Sequence, residues 1–534
     1  MQPNSDDKQW EYTGVINEAS RKWWVLTGVS IVSFLGCIDL TIVNTAAPDI
    51  GRDLRTTVTQ MQLIVNIFVV ALSMFMVTAG RLSDILGRRK VLYAGTALFG
   101  LASLGAGLAP NIPLLVVFRF LQGASCAVLY TSSSTIVSNA FPESQRGKAI
   151  GTLFAVNGIG LAIGPMLGGL IVGALNWHWV FLVNVPLVVI ALAICSVSLT
   201  ESKADTDVEL DWPGLVLLAL GLSGVIFAFT FNDTFGWGSW QVLGTLAVGV
   251  LALVVFVIVD RRQRFPLIPF KLLANKLFLS AVTAEFSLAF FYTTALFLMP
   301  LYLSTVRHYD ELTIGLMMLP TTATVAVLSP LVGRLVDKVG PIIVLTTGFA
   351  AFTLSAVLQS QFDAHSGIGY VAAAFVLMGI GWAFVLGPAA VAALSAVPQR
   401  LSGLAVGATW TFHNFGGAVG LALGMTLFRG FGESALRGGL ATQGATAGPW
   451  TAEVVAKPGS AADLLQQHAG LGQPAAGDLV DSLFAAGDRA AMLLLVGTSL
   501  VAMVTIFVLG RLRGRDQGQV AETAQEEPAD LPAS

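Results

Sequence analysis

The chain has 534 residues, 55% of them hydrophobic and 11% charged, with a net charge of −3. Soluble domains are about 25% charged, so a fully water-facing surface is excluded and a membrane is the expected solvent. The charge balance gives no reason to expect nucleic acid as a partner, and the five histidines show no metal-ligand spacing.

Residues 1–22 are polar and end in Arg21-Lys22. The apolar run that follows is too long for the core of a cleavable signal and contains an acid, Asp39, so it is expected to be the first membrane helix. From there apolar windows recur with short polar breaks. The predicted spans are 23–46, 61–81, 91–109, 113–139, 149–173, 179–199, 213–231, 239–259, 277–303, 313–333, 342–360, 368–394, 402–428 and 489–510. The segment 429–488 is rich in Gly and Ala and holds two amphipathic patches, AADLLQQHA and GDLVDSLFAA. It reads as an external loop with short helical pieces or a hairpin. The tail after Arg515 is polar and acidic and is expected to be disordered. Cys37, Cys126 and Cys195 lie in apolar runs and read as small buried hydrophobes.

An even number of spans puts both termini on one side. With that side inside, the inner segments carry 21 of the 29 Lys and Arg residues, and the contrast is sharpest in the short loops. Both termini are therefore expected in the cytoplasm. A weak internal repeat sets the halves: GRLSDILGRRK at Gly80–Lys90 is echoed by GRLVDKVGP at Gly333–Pro341. The second copy follows the tenth span, where two plain six-helix halves would put it after the eighth. Two helices are thus inserted between two six-helix repeats. The expected divisions are an N-terminal tail 1–22, a first repeat 23–199, inserted helices and linkers 200–276, a second repeat 277–510 and a tail 511–534.

Three charges fall inside apolar runs: Asp39, Arg119 and Glu285. A charge at mid-membrane costs about 2.5–3.5 kcal/mol on insertion scales. A partner, a wet cavity or, for an acid, a bound proton lowers that cost, and each points to a path through the membrane. A carboxylate taken out of water holds a proton more readily. Asp39 reads either as such a proton-exchanging acid or as one hydrogen-bonded to Asn44, Thr41 or nearby backbone. Glu285 lies in the helix that begins the second repeat, as Asp39 does in the first; facing inward it would stand across a central cavity from Asp39, and it reads either as a functional acid or as a structural hydrogen-bond partner. Arg119 keeps its proton and reads as a partner for a nearby acid or as a packing charge.

In the Gly80–Lys90 loop, Gly80 and Gly87 allow tight turns and close approach. Asp84 is suited to accept hydrogen bonds at a neighbouring helix N-terminus. Arg88, Arg89 and Lys90 are suited to acids or anionic lipid headgroups, and Gly333 and Asp337 repeat the pattern. Gly160, Gly164, Gly168 and Gly169 bring the fifth helix close to a neighbour. Pro165 bends it, which suits a helix that seals one half against the other. No Gly-x-x-x-x-Gly-Lys motif of a nucleotide-driven pump and no catalytic constellation stands out, so no enzyme activity and no cofactor are expected.

The Gly80–Lys90 loop closely resembles the loop signature of the major facilitator superfamily. Arg119-x-x-Gln122-Gly123 resembles its fourth-helix motif, and Gly160-x-x-x-Gly164-Pro165-x-x-Gly168-Gly169 the fifth-helix motif of its exporters. Leu-x-Gly-x-x-Asp39-x-Thr41-Ile42-Val43-Asn44 and Trp177-x-Trp179-x-Phe181-x-x-Asn184-x-Pro186 resemble its fourteen-helix drug:proton antiporter branch. His178 and His413 depart from it, standing where relatives often have Arg; each reads as a hydrogen-bonded or a titrating imidazole. The resemblance implies an all-α membrane fold of fourteen helices that exchanges protons for amphipathic, cationic small molecules, with Arg119 assisting proton handling. Protons, substrate and membrane lipids are the expected partners, and a single chain the expected working unit. Export of one endogenous product, proton-coupled uptake and a non-transporting receptor are the alternatives.

Overall fold

The computed structural model describes residues 17–55, 58–201, 211–236, 238–263, 271–456 and 461–526. Every regular element among them is helical. The long helices are α1 (Glu18–Asp53), α2 (Val58–Leu86), α3 (Arg88–Gly107), α4 (Ile112–Ala140), α5 (Glu143–Ala174), α6 (His178–Ser198) and α7 (Trp212–Phe235). They continue with α8 (Trp240–Asp260), α9 (Lys276–Thr305), α10 (Glu311–Val339), α11 (Pro341–Gln359), α12 (Ile368–Ser395), α13 (Ser402–Thr442) and α14 (Gln473–Glu526).

Twelve of these helices, among the described residues, are individually long and apolar enough to cross a membrane, and α5 adds a thirteenth span that bends by 43° between Leu161 and Met166. Pro165 falls in that break, where its missing N–H interrupts the helix ladder. The remaining helix, α3, has 20 residues, about 30 Å at 1.5 Å per residue, and opens on Arg88-Arg89-Lys90. Local chemistry starts several helices: the Asn111 side chain accepts from Leu114 N at 3.1 Å, Ser239 from Val242 N at 3.3 Å, and Asn275 from Leu277 N and Phe278 N at 2.9 and 3.3 Å. The turns α2–α3 and α10–α11 each hinge on a glycine at positive φ, Gly87 at 106° and Gly340 at 79°.

In the first half α1 packs on α4, α5 and α6, and α4 on α2 and α3. In the second half α9 packs on α12, α13 and α14, and α12 on α10 and α11. The halves meet along two seams, α5 with α10 and α2 with α13. These pairs exchange under the repeat, because the second helix of one half meets the fifth of the other. The inserted α7 touches both α2 and α13 and carries α8 on its far side. A continuous apolar core runs through both halves, while Leu101, Val189, Trp240, Leu251, Ile343 and Val501 point outward. That is the pattern of a bundle solvated by hydrocarbon.

At the C-terminal end one sequence expectation is met in part, as short helices in a hairpin, and one needs correction. The segment 429–488 is mostly helix: α13 runs on to Thr442, α14 starts at Gln473, and short helices Thr451–Ala456 and Ala461–Ala469 close against them. Leu436, Leu440, Val454, Leu465, Leu479 and Leu483 give this hairpin its own small core. The tail expected to be disordered after Arg515 continues α14 to Glu526, through residues rich in Gln, Ala and Glu with no proline to stop the helix. Residues 527–534 lie outside the described residues.

Candidate functional site: two buried acids and two end latches

Asp39, on α1, is fully buried. It forms an ion pair with Arg119 of α4. Its Oδ1 also accepts from Gln122 Nε2 at 3.3 Å and from Asn184 Nδ2 of α6 at 3.1 Å. Arg119 is 1% exposed. It donates further to Gln122 Oε1 at 3.2 Å and to Ile64 O at 3.3 Å, and its guanidinium lies 4.4 Å from the Phe68 ring centre. Ser103 of α3 takes the other Gln122 contact at 2.8 Å. The expected local partners of Asp39 do not hold it. Thr41 donates to Ile38 O, and Asn44 is exposed. Five helices of the first half converge instead, α1, α2, α3, α4 and α6.

Glu285, on α9, is buried in the second half. Its Oε2 lies 2.7 Å from His413 Nδ1 of α13, and His413 Nε2 lies 3.1 Å from the Tyr292 hydroxyl. Tyr292 stacks on Trp382 of α12 with ring centres 4.4 Å apart. The Trp382 indole N–H is buried with no hydrogen-bond partner among the described residues. His413 also touches Trp410, which stacks at 5.2 Å on Tyr130 of α4, and the Tyr130 hydroxyl donates to Cys37 Sγ at 3.3 Å. Side chains therefore run without a gap from Cys37, two residues before Asp39, across the seam between halves to Glu285. Both acids turn inward and neither faces lipid, but each sits in its own half's network.

The loop residues form latches at one end of the bundle. Asp84 accepts from Gly403 N at 3.1 Å and Leu404 N at 3.0 Å, capping α13 of the other half. Asp337 accepts from Gly147 N at 2.8 Å and Lys148 N at 3.0 Å, in the second turn of α5. Glycines let the backbones meet. A Cβ on Gly80 would strike the Gly403 carbonyl, and one on Gly333 the Gly147 carbonyl. The latches differ in one respect: Arg88 pairs with Asp84 at 3.0 Å and donates to Gln399 O at 2.6 Å. Pro341 stands at the corresponding position of the repeat, four residues after Asp337. Arg89 faces away from the seam; its N–H and that of Lys90 donate to Glu201, at 3.1 and 3.3 Å.

The fifth-helix glycines have a different neighbour from the expected one. Cβ atoms at Gly160, Gly164 and Gly168 would meet Phe34, Thr41 and Thr45 of α1, within the same half, and Gly169 has open space around it. The seam uses Gly147, Gly151 and Gly158 of α5 instead, against α10. His178, at the opposite end of the bundle from the latches, places Nδ1 2.9 Å from Gly107 O and Nε2 3.9 Å from Asp53 Oδ2, and stacks on Trp177 at 3.8 Å. Sequence reasoning singled out His413 without its acid, and did not single out Ser103 or Asp488. Asp488 is buried in α14 and lay inside the segment read as a loop.

The family model described as "Major Facilitator Superfamily" matches residues 29–421. The tetracenomycin C resistance and export protein of Streptomyces glaucescens is 31% identical over 404 residues, covering 76% of this chain and 75% of that one. The multidrug resistance protein Stp of Mycobacterium tuberculosis is 32% identical over 402 residues, covering 75% and 74%. The puromycin resistance protein pur8 of Streptomyces alboniger is 32% identical over 419 residues, covering 77% and 82%. Among solved structures, the human organic anion transporter MFSD10 superposes with a TM-score of 0.60 at 14% identity, covering 91% of this chain and 99% of that chain, a likeness of fold. With two six-helix halves, paired seams and this family match, the chain belongs to the major facilitator superfamily.

Proposed function

We propose that this protein is a proton-coupled antiporter that exports amphipathic, preferentially cationic small molecules across the cell's inner membrane. In this reading both termini and both latches face the cytoplasm, as the excess of Lys and Arg in the latch-side loops favours. The observation that carries it is that Asp39 in one half and Glu285 in the other are buried in apolar runs, each tied to a basic side chain from another helix of its half. Such groups are expensive in a membrane and mark ion or substrate paths. The relatives named for drug resistance and export favour outward transport. Asp39, Glu285 and Arg119 are the charges proposed to serve coupling and substrate, one acid site in each half. Asp84 and Asp337 hold the cytoplasmic end shut, and the two halves rock about the seams to open it.

The test is flux in proteoliposomes under an imposed pH gradient, with a panel of cationic dyes, neutral antibiotics and lipids. We expect proton-driven exchange of at least one cationic dye, lost in Glu285→Gln. Inward co-transport with protons, or binding without flux for the whole panel, would remove the reading. Transport of one compound only would favour a dedicated product exporter, the second reading, which the relative named for a single antibiotic supports.

A further inference from the structure

We propose that the exchanged proton is carried by Glu285 and His413 together, entering and leaving at His413 Nε2, while Asp39 and Arg119 stay a closed ion pair throughout the cycle. This rests on the reading of the chain as a proton-coupled transporter and assigns the proton to one of its two acid sites.

The partners decide it. Arg119 does not give up its proton. Protonating Asp39 would leave a guanidinium that is 1% exposed without its counter-charge, and would reduce what Gln122 and Asn184 donate to. Such an unpaired buried cation is strongly unfavourable. Glu285 faces an imidazole, which, unlike a guanidinium, is able to give up a proton. In the loaded state His413 is an imidazolium: Nδ1–H donates to Glu285 Oε2 and Nε2–H donates to the Tyr292 oxygen. On unloading, the Nε2 proton passes to water, Nδ1–H stays on the carboxylate, and the Tyr292 hydroxyl turns to donate to Nε2. Both short contacts, 2.7 and 3.1 Å, survive in either state. The pair changes from neutral to −1, so the unloaded site attracts a cation and the loaded one does not.

The surroundings add no competing charge. The titratable groups against the pair are Tyr292 of α9 and, beyond Trp410, Tyr130 of α4 and Cys37 of α1. Among the described residues no Lys, Arg or further acid forms a hydrogen bond or ion pair with Glu285 or His413. Tyr292 and Trp410 are only partly buried, which leaves a route for the released proton.

The measurement is nitrogen-15 NMR of the full-length chain, labelled at histidine and held in lipid nanodiscs, with the His413 signal assigned from its loss in His413→Asn. As pH rises, the signal is expected to pass from the imidazolium to the neutral ring protonated at Nδ1. Glu285→Gln should shift that midpoint to lower pH, and Asp39→Asn should leave it in place. A second arm uses ethidium in proteoliposomes: His413→Arg, which holds the pair permanently neutral, should lose ethidium–proton exchange and ethidium–ethidium counterflow alike. A His413 ring that holds one protonation state across the pH range of transport would overturn the proposal. So would a midpoint that Asp39→Asn moves as far as Glu285→Gln does. Wild-type protein lacking all proton-driven flux, with the His413 titration intact, would instead count against the transport reading alone.

Discussion

Arg119 and Asp39 are each intelligible only through the other. A buried pair contributes little net stability, yet removing one partner costs about 3–5 kcal/mol, because the survivor keeps its charge without a counter-ion. Arg119→Leu is therefore expected to lower the unfolding temperature of the detergent-solubilised protein sharply, and adding Asp39→Asn should recover most of the loss. A double variant as unstable as the single would shift the role of Arg119 to its stacking on Phe68. The sequence makes the charges themselves visible, because an acid or an arginine stands out in an apolar run. It hides their pairing: Asp39 and Arg119 are 80 residues apart, and Glu285 and His413 are 128 apart. Only the crossing of helices brings them together. His413 is flagged by its departure from the family pattern, but nothing local to it points to Glu285.

The helices use one packing device twice. Gly80 with Gly403 and Gly333 with Gly147 bring backbones into contact, and an aspartate four residues along α2 or α10 accepts from two backbone N–H groups of the helix it meets. Here the sequence is most legible, because the glycine and aspartate spacing states both the close approach and the carboxylate contact. The partner helix is legible only through the repeat. The latches are unequal. Losing Asp337 removes its hydrogen bonds to two backbone N–H groups of α5, typically about 1 kcal/mol each. Losing Asp84 also strands Arg88, 3% exposed, beside the N-terminus of α13, and a broken buried pair costs about 3–5 kcal/mol. Spin labels across the α2–α13 and α5–α10 seams should therefore show a larger open population at the latch end for Asp84→Ala than for Asp337→Ala. Equal populations would mean that Arg88 contributes nothing to closure. The stripe Gly160–Gly168 shows the limit of reading spacing alone. Four-residue glycine spacing predicts a close helix contact and not which helix is on the other side, and that helix is α1.

At the scale of the whole molecule, both acids, both latches and both seams belong to the twelve helices of the two halves. Among the described residues the inserted pair supplies no side chain to either acid's network. The out-of-step repeat motif reveals the insertion in the sequence, whereas the place of α7 against the α2–α13 seam depends on tertiary packing. The pair has its own contact surface. A Cβ on Gly249 would meet the Gly221 carbonyl at 2.9 Å and Val225 N at 2.7 Å, so α7 and α8 touch backbone to backbone. Gly249→Leu is expected to force them apart. If α7–α8 only fill the outer flank of the bundle, that variant should unfold at a lower temperature yet keep proton-driven exchange of the dye that the wild type transports. Because α7 touches both α2 and α13, it must slide along at least one of them whenever that seam opens. Exchange lost in a Gly249→Leu protein that still folds would therefore make α7–α8 part of the rocking motion, and would add them to the two halves as a working part of the transporter.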